Sequence, residues 1–289
     1  MKKAQSKSPF SAIVFAGGGD RCMWQAGFLT TAAPALGLRP DEVSGASAGS
    51  AIACLVFAER THDGIEFFKE ITARNKRNFY PGNIFRGKPA FPHYEMYRKV
   101  ILNGIDAASL KKLHSGPDIR ILMTHPPAWC GPRLGTFIGL SSYVLEKHIA
   151  HTVHPVLSSK IGFRGEVVSV RDCTTPGELA SVILASSCTP PFMPLQYRNS
   201  KPVLDGGLID NVPVSALARK HDSTLILLTR QYPRTHIPNV PGRTYVMPSI
   251  PVPISKWDYT NPKGIQLTFE IGLRDGERFA RSYTKNLSL

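Results

Sequence analysis

Gly45-Ala46-Ser47-Ala48-Gly49 has the form G-x-S-x-G and lies between a short apolar segment ending at Val43 and a helical one from Ala48 to Arg60. A serine on a sharp strand-to-helix turn exposes its hydroxyl at the sheet edge, and glycines on either side, here Gly45 and Gly49, relieve the crowding beneath it. The helix that follows turns backbone N–H groups and positive potential toward an oxyanion. The chemistry this suits is acyl transfer with Ser47 as nucleophile. Alone, the same five residues also suit a glycine-rich turn closing a βα unit.

Gly17-Gly18-Gly19-Asp20-Arg21 follows the first apolar strand and opens the first helix. Consecutive glycines let backbone N–H groups converge on an anion. A dinucleotide loop would need glycine at position 22, where Cys22 stands, and the Gly-Lys-Ser/Thr ending of a nucleotide-triphosphate loop is missing. An oxyanion hole for Ser47 is the better reading, with Arg21 adding positive charge. Asp205-Gly206-Gly207 follows the apolar pair Val203-Leu204; by itself Asp-Gly is a turn signal.

In this order the three pieces resemble the signature of the patatin-like phospholipases. Gln25-Ala26-Gly27, Ala185-Ser186-Ser187 with Pro190, and Asn211-Val212-Pro213 resemble the flanks of those motifs, so the likeness runs from about residue 11 to 230. The resemblance implies an α/β protein, a three-layer α/β/α fold with a mainly parallel central sheet, that cleaves acyl lipid esters through a Ser–Asp dyad. It makes Ser47 the nucleophile, Asp205 the base, and Gly17, Gly18 and Gly19 with Arg21 the oxyanion site; Gly45, Gly49, Gly206 and Gly207 shape the turns. Cys22 departs from the family, which usually has glycine there, and narrows the loop's approach to a substrate. No cofactor or metal is expected. The dyad is also sound chemistry: a serine hydroxyl needs an adjacent base, and a carboxylate with a reference pKa of about 3.9 becomes a better one when desolvated beside an acyl chain.

Elements that would carry these residues are legible as apolar runs between helical stretches, the pattern of a mainly parallel sheet with helices on its faces. Strands are expected at Ser11–Phe15, at a segment ending with Val43, and at Ile119–Thr124, Glu166–Val170, Thr224–Thr229 and Thr244–Met247. Helices are expected at Met23–Leu36, Ala48–Arg60, Ser141–His151, Gly177–Ser187, Val214–His221 and Ile265–Thr284. Prolines at seven positions between 233 and 262 exclude a long regular element there. The 289 residues are read as one domain, with a proline-rich segment at 232–262 and a C-terminal helix.

The formal charge of +14 attracts polyanions of any kind. Arg74, Lys76, Arg77, Arg86 and Lys88 interleave with Phe79, Tyr80, Phe85 and Phe91, a pattern that suits transient docking on an anionic membrane, a phosphate track, or a solvated loop with inward-facing aromatics. The five scattered cysteines argue against a disulfide framework or zinc site and for a reducing compartment. No apolar run approaches the ~20 residues of a membrane span. The expectation is a cytoplasmic protein, peripheral to membranes, with an acyl lipid as its partner and nucleic acid not expected; the sequence leaves the oligomeric state open. His148, His151 and His154 near Glu146 sit before Pro155 and are read as a helix end rather than a metal site. Two competing readings are a Ser–His–Asp triad enzyme, for which only His221 and His236 follow Asp205, and a basic nucleic-acid or membrane-binding module with vestigial motifs.

Overall fold

The computed structural model describes residues 8–127 and 162–287; the expected helix at 141–151, the three histidines before Pro155 and Cys130 fall outside them. Strand β1 (Ala12–Phe15) is buried along its whole length, as a strand covered on both faces must be. After the glycine loop comes α1 (Met23–Leu36), closed by Gly37 in the left-handed conformation common at helix ends. Next are β2 (Glu42–Ala46) and α2 (Ala48–Phe57), which stops short of the expected Arg60. Glu59 takes a positive φ of 58°, and the chain restarts as α3 (Thr61–Arg74). Helices α4 (His93–Gly104) and α5 (Ala107–Ser115) precede β3 (Asp118–His125).

Strand β4 (Arg164–Ser169) leads to α6 (Pro176–Ser186), which opens on a reciprocal capping box between Thr175 and Glu178. The hairpin β5 (Gln196–Arg198) and β6 (Lys201–Asp205) turns through Asn199 and Ser200, both at positive φ. A short α7 (Gly207–Asp210), β7 (Thr224–Leu227), β8 (Arg243–Val246) and α8 (Pro262–Leu287) complete the described chain.

The strands form one eight-stranded sheet, mixed but mostly parallel, flanked by helices in three α/β/α layers. β2, β1, β7 and β8 run parallel to β3, whereas β4 and β6 pair with it antiparallel. Alternate residues of β1 feed opposite layers: Ile13 and Phe15 join the larger core, and Val14, with Ala16 just beyond the strand, packs with Val212, Ile226 and Tyr232. On the first side α1 and α8 approach backbone to backbone, since a methyl group at Gly27 would stand 2.0 Å from Phe269 O. Trp24 Nε1 fastens the pair by donating to Asp275 Oδ2 at 2.8 Å, and Thr31 Oγ1 donates to Leu273 O at 2.9 Å.

The helix expected at Val214–His221 is a single 3-10 turn, Val214–Ala216. Tertiary partners take the backbone groups a helix would use itself: Arg120 Nε donates to Ala216 O at 2.7 Å, and Ala218 N–H donates to Glu42 Oε1 at 2.6 Å. Among the interleaved basic and aromatic residues between 74 and 91 lies a 3-10 helix, Pro81–Arg86.

Candidate active site

The turn around Ser47 has the geometry its sequence demands. Ser47 is buried and holds φ 53° and ψ −139°, a left-handed backbone that a non-glycine residue keeps only when its surroundings enforce it, at a cost of about 1–3 kcal/mol. Three contacts enforce it. The N–H of Ser47 donates to Ser186 Oγ at 2.9 Å, and that hydroxyl donates in turn to Leu122 O at 2.6 Å. Ser50 Oγ donates back to Ser47 O at 2.6 Å. On the far side, a side chain at Gly49 would lie 2.6 Å from Ala16 O, so the start of α2 rests directly on the end of β1; Gly45 faces Ser50 in the same tight way.

Sheet register explains how Asp205 reaches this turn. Leu122 pairs with Ala46 of β2 and Val167 of β4, and Met123 pairs with Glu166 of β4 and Asp205 of β6. A strand has two edges, and β4 occupies one along this whole stretch, so β2 and β6 share the other and meet end to end. Ser47 follows Ala46 at the point on that edge where Asp205 arrives from the opposite direction. The carboxylate is buried and oriented: Oδ1 accepts the Gly207 N–H at 2.7 Å, and Oδ2 accepts the Thr189 hydroxyl at 3.3 Å. Gly206 lies against Leu122 O and donates its N–H to Ser186 O at 3.0 Å. Ser186 therefore touches both motifs.

The glycine loop closes the third side. A methyl group on Gly17 would stand 3.3 Å from Ser47 Cβ and 2.7 Å from Asn211 Oδ1. The Gly17 N–H itself donates to Asn211 O at 2.9 Å, so this amide is already committed. Gly17 O accepts from Asn211 Nδ2 at 3.2 Å and Thr229 Oγ1 at 3.0 Å. Gly19 takes φ 57° and presses against Lys256 O. Arg21 folds onto its own loop, its Nε donating to Gly18 O at 3.2 Å. Cys22 is buried beneath, its thiol directed to Ala16 O at 3.6 Å and its pKa pushed far up by burial, so it packs as core.

Asn211, Ser186, Thr189 and Thr229 brace this site and were not singled out by sequence as site residues. Asn211 Oδ1 lies at once beside Gly17 and beside Gly207, and so couples the glycine loop to the Asp-Gly turn. The signal for it was present in Asn211-Val212-Pro213, and for Ser186 in Ala185-Ser186-Ser187. Nothing local marks Thr189 or Thr229.

The histidines after Asp205 are placed differently. The His221 ring bonds Glu42 Oε2 at 2.7 Å and Ser11 Oγ at 3.1 Å, at the starts of β2 and β1, roughly 16 Å along the strand from Ser47 at about 3.3 Å per residue. His236 is exposed on a 3-10 turn. No group of three or more His, Cys, Asp or Glu residues capable of holding a metal occurs among the described residues, and Cys22, Cys54, Cys173 and Cys188 are free and buried.

Around the rim, three segments interlock. Asn78 Nδ2 donates to Asp258 Oδ1 at 3.2 Å, Tyr259 N–H donates to Asn78 Oδ1 at 2.9 Å, and Phe192 stacks on Trp257 at 4.8 Å. Phe79 and Phe91 pack together and Phe91 meets Phe192, whereas Phe85 is 92 % and Ile84 59 % exposed. No helix among the described residues is long and apolar enough to cross a membrane.

No curated protein matches the chain. Among solved structures, the crystal structure of VipD from Legionella pneumophila is similar over 95% of this chain and 67% of its own, at 13% sequence identity and a TM-score of 0.48. The model of the patatin-like phospholipase family matches residues 13–218, well over half of the sequence and all three motifs. The chain belongs to the patatin-like phospholipase family.

Proposed function

We propose that this protein is a serine lipid acyl hydrolase, organised as one domain, that cleaves carboxylic esters of phospholipids or related acyl lipids with Ser47 and Asp205 alone. The reading is supported above all by the shared edge of β3, where the ends of β2 and β6 converge with the glycine loop against Ser47. Ser47 Oγ transfers its proton to Asp205 as it attacks the ester carbonyl, and the Gly18 and Gly19 amides receive the oxyanion. One such donor is typically worth about 2.7–4 kcal/mol of transition-state stabilisation. Collapse returns the proton from Asp205 to the departing alcohol, and water then repeats the sequence on the acyl-serine. A triad reading finds no support in His221, which is committed to Glu42 and Ser11 at the other end of the strands.

Membrane delivery belongs to the same proposal. Exposed Lys76, Arg77, Arg86 and Lys88 flank the exposed Ile84 and Phe85 in sequence, which suits a cytoplasmic enzyme that docks transiently on anionic bilayers and inserts this tip. Arg74 contributes less, because Glu70 pairs with it.

The deciding experiment is ester turnover by wild type, Ser47→Ala, Asp205→Asn and His221→Ala. Ser47→Ala is expected to abolish turnover and fluorophosphonate labelling, Asp205→Asn to cost several orders of magnitude, and His221→Ala to spare catalysis in whatever fraction stays folded. Loss through His221 with Asp205→Asn active would establish the triad instead.

A further inference from the structure

On the α2 side of the sheet lies a partly enclosed, largely apolar cavity of about 30 Å³. It begins at Gly19 and at Ala48, the residue after the nucleophile, and follows one face of α2 through Ala51, Ile52 and Leu55. Helix α4 closes the other side with Tyr97, Val100 and Ile101, and Ile105 follows. From Ala48 to Leu55 is seven residues, about 10 Å along the axis. An extended acyl chain advances about 1.25 Å per carbon for bonds of about 1.5 Å, so this depth matches about eight carbons. The open volume holds about one water-sized group, and a longer guest enters only as flexible liners such as Met23 swing aside.

Leu55 has no such freedom. A methyl group on Gly104 would stand 2.3 Å from Leu55 Cδ2, and one on Gly64 would stand 3.0 Å from Cδ1 and 3.1 Å from Cδ2. The isobutyl group thus fills the space two missing side chains leave and sits against the backbones of α3 and α4. We propose that this cavity receives the acyl chain of the substrate and that Leu55 is its floor, limiting efficient substrates to medium-length chains of about eight carbons. The proposal rests on the hydrolase reading of Ser47.

The test is kcat/KM for a ladder of p-nitrophenyl esters from acetyl to palmitoyl, each normalised to the acetyl ester, for wild type, Leu55→Ala and the milder Leu55→Val. Wild type should peak near octanoyl and fall at least about tenfold beyond it, on the scale of one surplus methylene in a closed pocket. Leu55→Ala should move that fall to longer chains and raise the normalised dodecanoyl value at least about tenfold, with Leu55→Val shifting less in the same direction. Thermal melts identify unfolded variants, and Leu55→Val carries the test if Leu55→Ala fails to fold. Identical normalised profiles in folded variants overturn Leu55 as the floor while leaving the hydrolase reading intact. Absence of turnover with every ester in wild type overturns both.

Discussion

Replacing Ser186 with alanine isolates what holds Ser47, the proposed nucleophile, in place. The hydroxyl accepts from Ser47 N–H and donates to Leu122 O, all within the buried interior. Its removal leaves the Ser47 amide unsatisfied, about 1–3 kcal/mol, and forfeits a second bond worth about 1 kcal/mol net, so roughly 2–4 kcal/mol of stability should be lost. At about 2–4 °C per kcal/mol for a domain of this size, Tm should fall by roughly 4–16 °C. Catalysis should suffer separately, because Ser47 at φ 53° relaxes once its brace is gone, and an ångström of misplacement costs about 10²-fold. Melting curves and kcat on a soluble short-chain ester read the two effects, and Ser186→Cys, which keeps a weak donor, should recover part of both. A Tm within about 1 °C of wild type together with unchanged kcat would refute the bracing argument.

Asp20 gives a pH test. It is buried beside the cavity with no hydrogen bond to Oδ2 among the described residues, and burial first and Asp258 second hold its pKa well above the carboxylate range. A carboxyl with a raised folded pKa stabilises fully below its unfolded value near 3.8 and loses that contribution as pH rises through the folded value. Asp20→Asn should therefore raise Tm relative to wild type at neutral pH, with the advantage fading toward pH 3.8; a difference independent of pH would contradict this. For the docking tip, neutralising Lys76, Arg77, Arg86 and Lys88 should remove about 1 kcal/mol of anionic-vesicle affinity per charge, most at low salt, with the soluble-ester assay little changed. Equal co-sedimentation of mutant and wild type across a salt series would make that loop purely structural.

The turns that carry the motifs were more legible in this sequence than the helices were. Ser47, Asp205 and the glycine loop stand where strand ends converge, because sharp turns at those ends leave small-residue signatures that survive in one sequence. The buried strands announce themselves as runs such as Ala12-Ile13-Val14-Phe15. Helices α3, α4 and α5 went unassigned because each buries only a narrow stripe, such as Ile65 and Phe68 in α3 or Leu110 and Leu113 in α5, among charged neighbours. The β5–β6 hairpin was hidden by Asn199-Ser200, which lacks the glycine that usually marks two left-handed residues in a row. Bracing by Thr189 and Thr229 was invisible in principle, since it depends on distant segments meeting.

The intimate seating of α1 on α8 has a consequence for biosynthesis. Every residue proposed to act in catalysis or to brace the site is in the chain by Thr229, yet α1, which continues directly from the glycine loop, lacks its backbone-close neighbour until α8 ends at Leu287. Those 287 − 229 = 58 residues take about 3–12 s to translate at about 5–20 residues per second. During that interval the nascent protein carries both proposed catalytic side chains, Ser47 and Asp205, but exposes the apolar flank of α1 that α8 will cover, so hydrolytic competence should emerge only as synthesis of α8 finishes, and a chaperone that shields this flank would act within the same few seconds.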